Sequence, residues 1–246
     1  MAGSTYDQQT AEDYRASREI PRDGLEAWRQ AIAEEAGLAP GATLLDVGAG
    51  TGAFATAFHD WFGVRVLAVE PAEAMRSLIP ASADIEVLEG RAEALPVADG
   101  VADAAWLGSV LHHVGDLGAA AHELRRVLKP GAPVLIRNAF PGRCDRDLRV
   151  RFFPETARQI DGYRSIEEVC RIFADADFHQ VALRSLPQES APTLAAFAAG
   201  LRRDSDSKLR ALSDEEYSRG LAALHAAAAA DPTEPATSWM DLLVLA

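Results

Sequence analysis

Apolar and polar positions follow two alternating rhythms over the first two thirds of the chain. In DGLEAWRQAIAEEAGL, Leu25, Trp28, Ile32 and Ala36 recur at helical spacing until Pro40-Gly41 ends the pattern. TLLDV then reads as a short buried strand, and GAFATAFHDWF resumes helical spacing. VRVLAVE and AEAMRSLI repeat the pair. IEVLEG and VADAAWLG predict two more strands across the turn-rich ALPVADG. DLGAAAHELRRVL predicts a helix that Lys129-Pro130-Gly131 stops, and APVLIRNA a fifth strand. Strands alternating with helices predict an α/β chain, a parallel sheet covered by helices on both faces.

The rhythm changes after Asn138. Residues 140–164 carry many arginines and two prolines and do not read as another strand–helix unit. SIEEVCRIFADADF predicts a helix with Ser165 as N-cap and Glu168 in capping-box position. HQVALRSL predicts a sixth strand. The stretch from Thr193 to Asp231 is mostly helical, with Ser213 capping its second part, and ATSWMDLLVLA is a terminal strand. The expectation is one domain over 1–246. It comprises a polar leader at 1–24, an insertion at 140–164 and a helical addition at 190–235 before the last strand.

Composition narrows the partners. The chain has 246 residues and a formal net charge of −13, which argues against a nucleic-acid backbone as partner, since phosphate binding needs a cationic surface. No run of about 20 apolar residues is available to span a bilayer, and the N-terminus lacks the apolar core of a signal peptide. Cys144 and Cys170 show neither metal-type spacing nor a disulfide framework. A cytoplasmic protein with a small-molecule partner, as monomer or homodimer, is expected. The six histidines do not combine with carboxylates at zinc-ligand spacing, so no metal is expected.

Gly48, Gly50 and Gly52 fall within five positions directly after TLLDV, before a helix. Strand, tight glycine turn and helix make a site for a nucleotide-like ligand, because absent Cβ atoms let the ligand approach the backbone. The G-x-G-x-G spacing differs from the G-x-G-x-x-G of dinucleotide sites. Asp46 near the strand end can act through ordered water or loop amides. Glu70 closes the next strand, where a carboxylate can accept from both ribose hydroxyls. The plainer reading is a glycine turn in an α/β domain without a ligand.

LLDVGAGTGAF, VLAVEPAEAM, GRAEALPVADGVADAAWLGSVLHHV and LRRVLKPGAPVLI, in this order, resemble the class I S-adenosylmethionine-dependent methyltransferases, particularly the ubiquinone/menaquinone-biosynthesis type and many small-molecule methyltransferases. The resemblance implies a Rossmann-like seven-stranded sheet of order 3-2-1-4-5-7-6 with strand 7 antiparallel and an inserted substrate cover. It implies that Gly48, Ala49 and Gly50 line the methionine portion, that Glu70 holds the ribose, and that Pro71 and Met75 lie near the adenosine. The family's Gly-Asp-Ala-Glu segment is Gly90-Arg91-Ala92-Glu93 here. Arginine cannot accept from the adenine amino group, so Arg91 either stacks on the ring or faces solvent, while the Ala92 amide keeps its contact. Tyr14 and Arg18 match recurring leader positions facing the cofactor's amino-acid tail, or belong to a frayed surface helix.

On the acceptor side, the same resemblance places Leu107–Gly108–Ser109 beside the reactive sulfur, with His112 and His113 following. A histidine there suits proton removal, or can simply bond a carbonyl; His113 is the first candidate and His112 the second. The cover's Arg143, Arg146, Arg149, Arg151 and Arg158 can recruit an anionic substrate or form a solvated charged face, the reading favoured for such runs. Methyl transfer to O, N or C of a metabolite, releasing S-adenosylhomocysteine, is the leading function. A cyclisation or rearrangement using the same cofactor, or binding without catalysis, are the alternatives. A nicotinamide dehydrogenase is disfavoured by the glycine spacing.

Overall fold

The computed structural model describes residues 22–204 and 206–246, so Tyr14 and Arg18 lie outside the described residues. A 3-10 turn at Arg22–Leu25 leads into α1 (Glu26–Ala36). β1 (Thr43–Val47), α2 (Ala53–Phe62), β2 (Arg65–Val69), α3 (Glu73–Arg76), β3 (Ile85–Leu88), β4 (Ala104–Gly108), α4 (Leu117–Val127) and β5 (Val134–Asn138) follow. The second part holds α5 (Leu148–Phe152), α6 (Ala157–Asp161), α7 (Ile166–Ala174), β6 (Gln180–Ala191), α8 (Leu194–Gly200), α9 (Ser207–Arg210), α10 (Asp214–Ala230) and β7 (Ala236–Leu245). The seven strands form one sheet of order β3-β2-β1-β4-β5-β7-β6. β7 runs antiparallel to both neighbours, and the other pairs are parallel.

Strand periodicity builds two cores from one sheet. Leu45, Val47, Leu67, Val69, Ala105 and Leu107 face α4 and α7, whereas Leu44, Val66, Ala68, Ala104 and Trp106 face α1 and α2. Leu242 and Val244 of β7 join the second core and Leu243 and Leu245 the first, which explains an uninterrupted apolar stretch in a central strand. Trp28 packs edge-to-face on Trp106, with ring centroids 6.3 Å apart. Among the described residues no helix is long and apolar enough to cross a membrane.

Local signals hold at the helix starts. Ser165 and Glu168 exchange the two bonds of a capping box at α7, as do Ser213 and Glu216 at α10. Elsewhere the structure differs from the sequence pattern. The sixth strand is longer than HQVALRSL and runs through Pro187 to Ala191. Proline is tolerated there because, among the described residues, β6 is the sheet edge, with no strand beyond it requiring its missing N–H. The expected helical stretch after Thr193 divides into three helices.

The insertion and the later helical addition form one unit. Leu148, Phe152 and Phe153 from the insertion pack with Leu194, Phe197, Leu209 and Leu224 in a separate apolar cluster above the sheet. Three hydrogen bonds tie this cover to β7: Leu148 N donates to Ser238 Oγ at 3.1 Å, and Arg143 pairs bidentately with the buried carboxylate of Asp241.

Candidate functional site

After β1 the chain turns back over β2, with the Gly48 and Ala49 amides both donating to Val69 O at 2.8 and 3.1 Å. Gly48, Gly50 and Gly52 have φ of 71°, 58° and 81°, the left-handed region that disfavours any side chain. The space around them differs. A Cβ on Gly48 would stand 2.4 Å from Val110 Cγ2, and one on Gly52 2.7 Å from Ile79 Cγ2, while one on Gly50 would meet nothing within 4 Å. Two glycines therefore serve close packing, and the middle one leaves its backbone open.

Glu70, just past β2, is 7% exposed. Its Oε2 accepts from Gly50 N and its Oε1 from Ala72 N, both at 2.9 Å. Burial pushes its carboxyl up, partly offset by those two amides and the Arg76 guanidinium. Asp46, within β1, is 2% exposed, and its Oδ2 has no hydrogen-bond partner among the described residues. Burial first, then the Glu70 charge, push its carboxyl up to about 8.

A cavity of about 540 Å³ opens beside this loop, at the carboxyl ends of β1, β4 and β5 and beneath the cover. Of the sequence-predicted residues, Ala49, Gly50, Gly108, His112 and His113 line it, and Glu70 is joined to it through the Gly50 amide. Asp46, Gly48, Pro71, Met75, Arg91 and Ala92 are not on its wall. Met75 and Ala92 are buried, and Arg91 and Pro71 are exposed. His112 and His113 occupy a 3-10 turn, Leu111–His113. The His112 ring stacks on Tyr163 of the cover at 4.5 Å and 10°.

Arg137, Asn138 and Gln188 also line the cavity, and sequence reasoning did not single them out. The available signal was a charge inside the apolar run APVLIRNA, at the strand end where ligands of such sheets bind.

Known proteins resemble this chain in sequence and in fold. The family model described as "Methyltransferase domain" matches residues 45–136, which contain the glycine loop, Glu70, Gly108 and the histidine pair. A demethylmenaquinone methyltransferase from Mycolicibacterium paratuberculosis is 30% identical over 158 residues, covering 60% of this chain and 68% of its own. The chain belongs to the class I S-adenosylmethionine-dependent methyltransferases. A second demethylmenaquinone methyltransferase, from Renibacterium salmoninarum, is 34% identical over 110 residues, covering 44% of this chain; the chain spans about half, 46%, of that protein's length. Among solved structures, a protein assigned as a methyltransferase of an antibiotic-biosynthesis pathway from Anabaena variabilis superposes with a TM-score of 0.68 at 18% identity, covering 93% of this chain and 98% of that one.

The residues present fit the cofactor of the methyltransferase family. The backbone at Gly50 faces open space, with nothing within 4 Å of where its Cβ would lie, and Glu70 Oε2 accepts from its amide. The orphaned oxygen of Asp46 adds negative charge behind the loop once the carboxyl ionises.

The cover's arginines are engaged within the fold, and Arg149 also lines the cavity. Arg143, Arg149, Arg151 and Arg158 pair with Asp241, Asp206, Glu234 and Glu216, and Arg146 lies over the Trp239 ring. In a chain with this acidic excess, carboxylates nearby in the fold take up the cover's positive charge. Arg143 and Arg146 thus join the cover to β7, and the other three join its two parts.

Proposed function

We propose that this chain transfers the methyl group of S-adenosylmethionine to an oxygen, nitrogen or carbon of a small molecule seated in the cavity. The observation that carries this reading is Gly50. Its amide is held by Glu70, its Cβ direction is open, and it shares one cavity wall with Gly108, His112 and His113. When bound, the cofactor supplies a methyl group on positively charged sulfur, already activated for displacement.

The chain's own groups then bind, orient and exclude water. Each Glu70 oxygen takes one amide and keeps lone-pair capacity for a ribose hydroxyl. His112, stacked on Tyr163, seats the cover over the cavity. His113 follows it on the cavity wall, and its ring nitrogen takes the acceptor's proton where the acceptor is an alcohol or an ammonium.

Calorimetry with S-adenosylhomocysteine and NAD tests the cofactor assignment. The wild-type protein should bind the former and not the latter, and Glu70→Ala should weaken binding by about 10-fold or more. Unchanged affinity in that variant would sink the ribose role. For an acceptor found by screening a metabolite panel, S-adenosylhomocysteine should be released in step with methylated product, which a cyclisation would not do. His113→Ala should then lower turnover about 100-fold with cofactor affinity retained; full turnover would remove it from the chemistry.

A further inference from the structure

Arg137, one residue before the end of β5, is 7% exposed and lines the cavity. Its Nη1 donates to Ser109 Oγ at 3.0 Å, and its Nη2 donates to Gln188 Oε1. A guanidinium has donors and no acceptor. That fixes the polarity of both partners, whatever else the arginine touches. Ser109 gives Arg137 a lone pair, so its hydroxyl hydrogen points elsewhere. Gln188 gives Arg137 its carboxamide oxygen, so the two N–H bonds of Nε2 lie on the other branch.

Ser109 and Gln188 both line the cavity, and Gln188 is 4% exposed. Among the described residues no group accepts from the Ser109 hydroxyl or from Gln188 Nε2. Buried donors left unmade are costly, and here two of them flank one guanidinium on a cavity wall. Ser109 also holds φ of 57°, with its amide donating to Arg137 O at 2.7 Å. Glycine would adopt that backbone without strain, so what the serine adds at this position is its hydroxyl.

We propose that the Ser109 hydroxyl and the Gln188 carboxamide N–H form a two-donor cradle for an oxygen of the methyl acceptor, with Arg137 as the residue that positions both. The inference rests on the methyl-transfer reading and adds the substrate class. The cradled oxygen carries no hydrogen: it is a ketone or quinone carbonyl, or an oxygen of an acid. An ammonium, which only donates, does not fit. Arg22, Arg149, Arg202 and Lys208 on the same wall admit an anionic oxygen beside a neutral one. The cradle itself asks for lone pairs rather than charge. Leu25, Phe54, Phe197 and Met240 give the body of the acceptor an apolar surface.

The test uses the full chain saturated with S-adenosylhomocysteine and four probes with a phenyl body: the ketone benzylacetone, hydrocinnamate, phenyl phosphate and phenylpropylammonium. Affinities are read by NMR titration. The ketone should bind the wild-type protein about 10-fold or more tighter than the ammonium, as two made hydrogen bonds allow. Variants are compared on the neutral ketone. Ser109→Ala and Gln188→Glu should each weaken it about 3- to 10-fold, the range of one hydrogen bond. Gln188→Glu still accepts from Arg137 and lacks only the donor. The side-chain amide signal of Gln188, identified by its absence from the Gln188→Glu spectrum, should move as the ketone is added. Arg137→Met lets the carboxamide turn and should weaken the ketone too, and Arg137→Lys, which still only donates, should recover part of the loss. S-adenosylhomocysteine affinity should stay within about 3-fold in the Ser109 and Gln188 variants, less than a typical single hydrogen bond.

Tighter binding of hydrocinnamate or phenyl phosphate than of the ketone supports the cradle and makes the natural oxygen anionic. A ketone bound no better than the ammonium, or unchanged in Ser109→Ala and Gln188→Glu, overturns the inference and leaves the methyltransferase reading standing. Unchanged ketone binding in Arg137→Met overturns the positioning role. Variants that lose S-adenosylhomocysteine instead of the ketone overturn the inference by giving the two donors to the cofactor. Wild-type protein that binds no S-adenosylhomocysteine overturns the methyltransferase reading first.

Discussion

Two carboxyls, Asp46 in β1 and Glu70 after β2, are buried behind the glycine loop, and burial first, then the Glu70 charge, makes the contribution of Asp46 to stability depend on pH. Asp46 keeps its proton in the folded protein up to about 8, whereas the unfolded chain releases it in the ordinary carboxylate range. The folded state therefore binds more protons between those limits. Stability should fall as pH rises from about 4 towards about 8 and level off above, with a slope of at most about 1.4 kcal/mol per pH unit from this group. Asp46→Asn, neutral at every pH, should flatten that decline when denaturant midpoints are compared at mildly acidic and mildly alkaline pH. An equal decline in both proteins would remove Asp46 as its source. The spacing Gly48-x-Gly50-x-Gly52 and the position of Glu70 one strand on were legible in the sequence, being local pattern. That Gly48 and Gly52 yield to Val110 and Ile79 while Gly50 stays open was not, since those neighbours come from other segments.

At the scale of elements, the long helix α10 shows how the cover is held. Gly220 lies in its interior, where a Cβ would stand 2.2 Å from Phe153 Cδ1 and 2.7 Å from the Phe152 carbonyl oxygen. Glycine weakens a helix by about 1 kcal/mol against alanine, yet here it allows a close approach to the insertion. Gly220→Ala should thus destabilise by about 1–3 kcal/mol despite its better helix propensity, because the backbone contact cannot yield as a side chain would. Thermal melting checks the sign, and a raised midpoint would show that the approach is dispensable. The capping box at Ser165 and the cap at Ser213 were readable because each lies within four residues, and the structure completes the second box with Glu216. The joining of residues 140–164 with the helices after Thr193 was not, because Phe153 and Leu224 meet only in three dimensions.

For the whole molecule, β7 is the element on which most depends. It fills the gap between β5 and β6, contributes to both cores, and carries Ser238 and Asp241, which hold the cover. A chain lacking residues 236–246 should lose cooperative unfolding and bind the dye ANS, as expected when specific packing fails but collapse persists. A sharp melting transition in that chain would overturn this role. The sequence by itself determined the alternation of strands and helices, the glycine loop with its acidic partner, and a resemblance specific enough to imply strand order and cofactor. Those features repeat over a few residues or occur in fixed order along the chain. Only the tertiary structure decided where charge faces the cavity. Arg143, Arg149, Arg151 and Arg158 of the cover found carboxylates, and Arg137, inside an apolar strand pattern, became a wall residue that bonds Ser109 and Gln188, 28 and 51 residues away. Local periodicity carries no information about which distant oxygen will reach a buried guanidinium. That depends on how β4, β5 and β6 are brought to one end of the sheet.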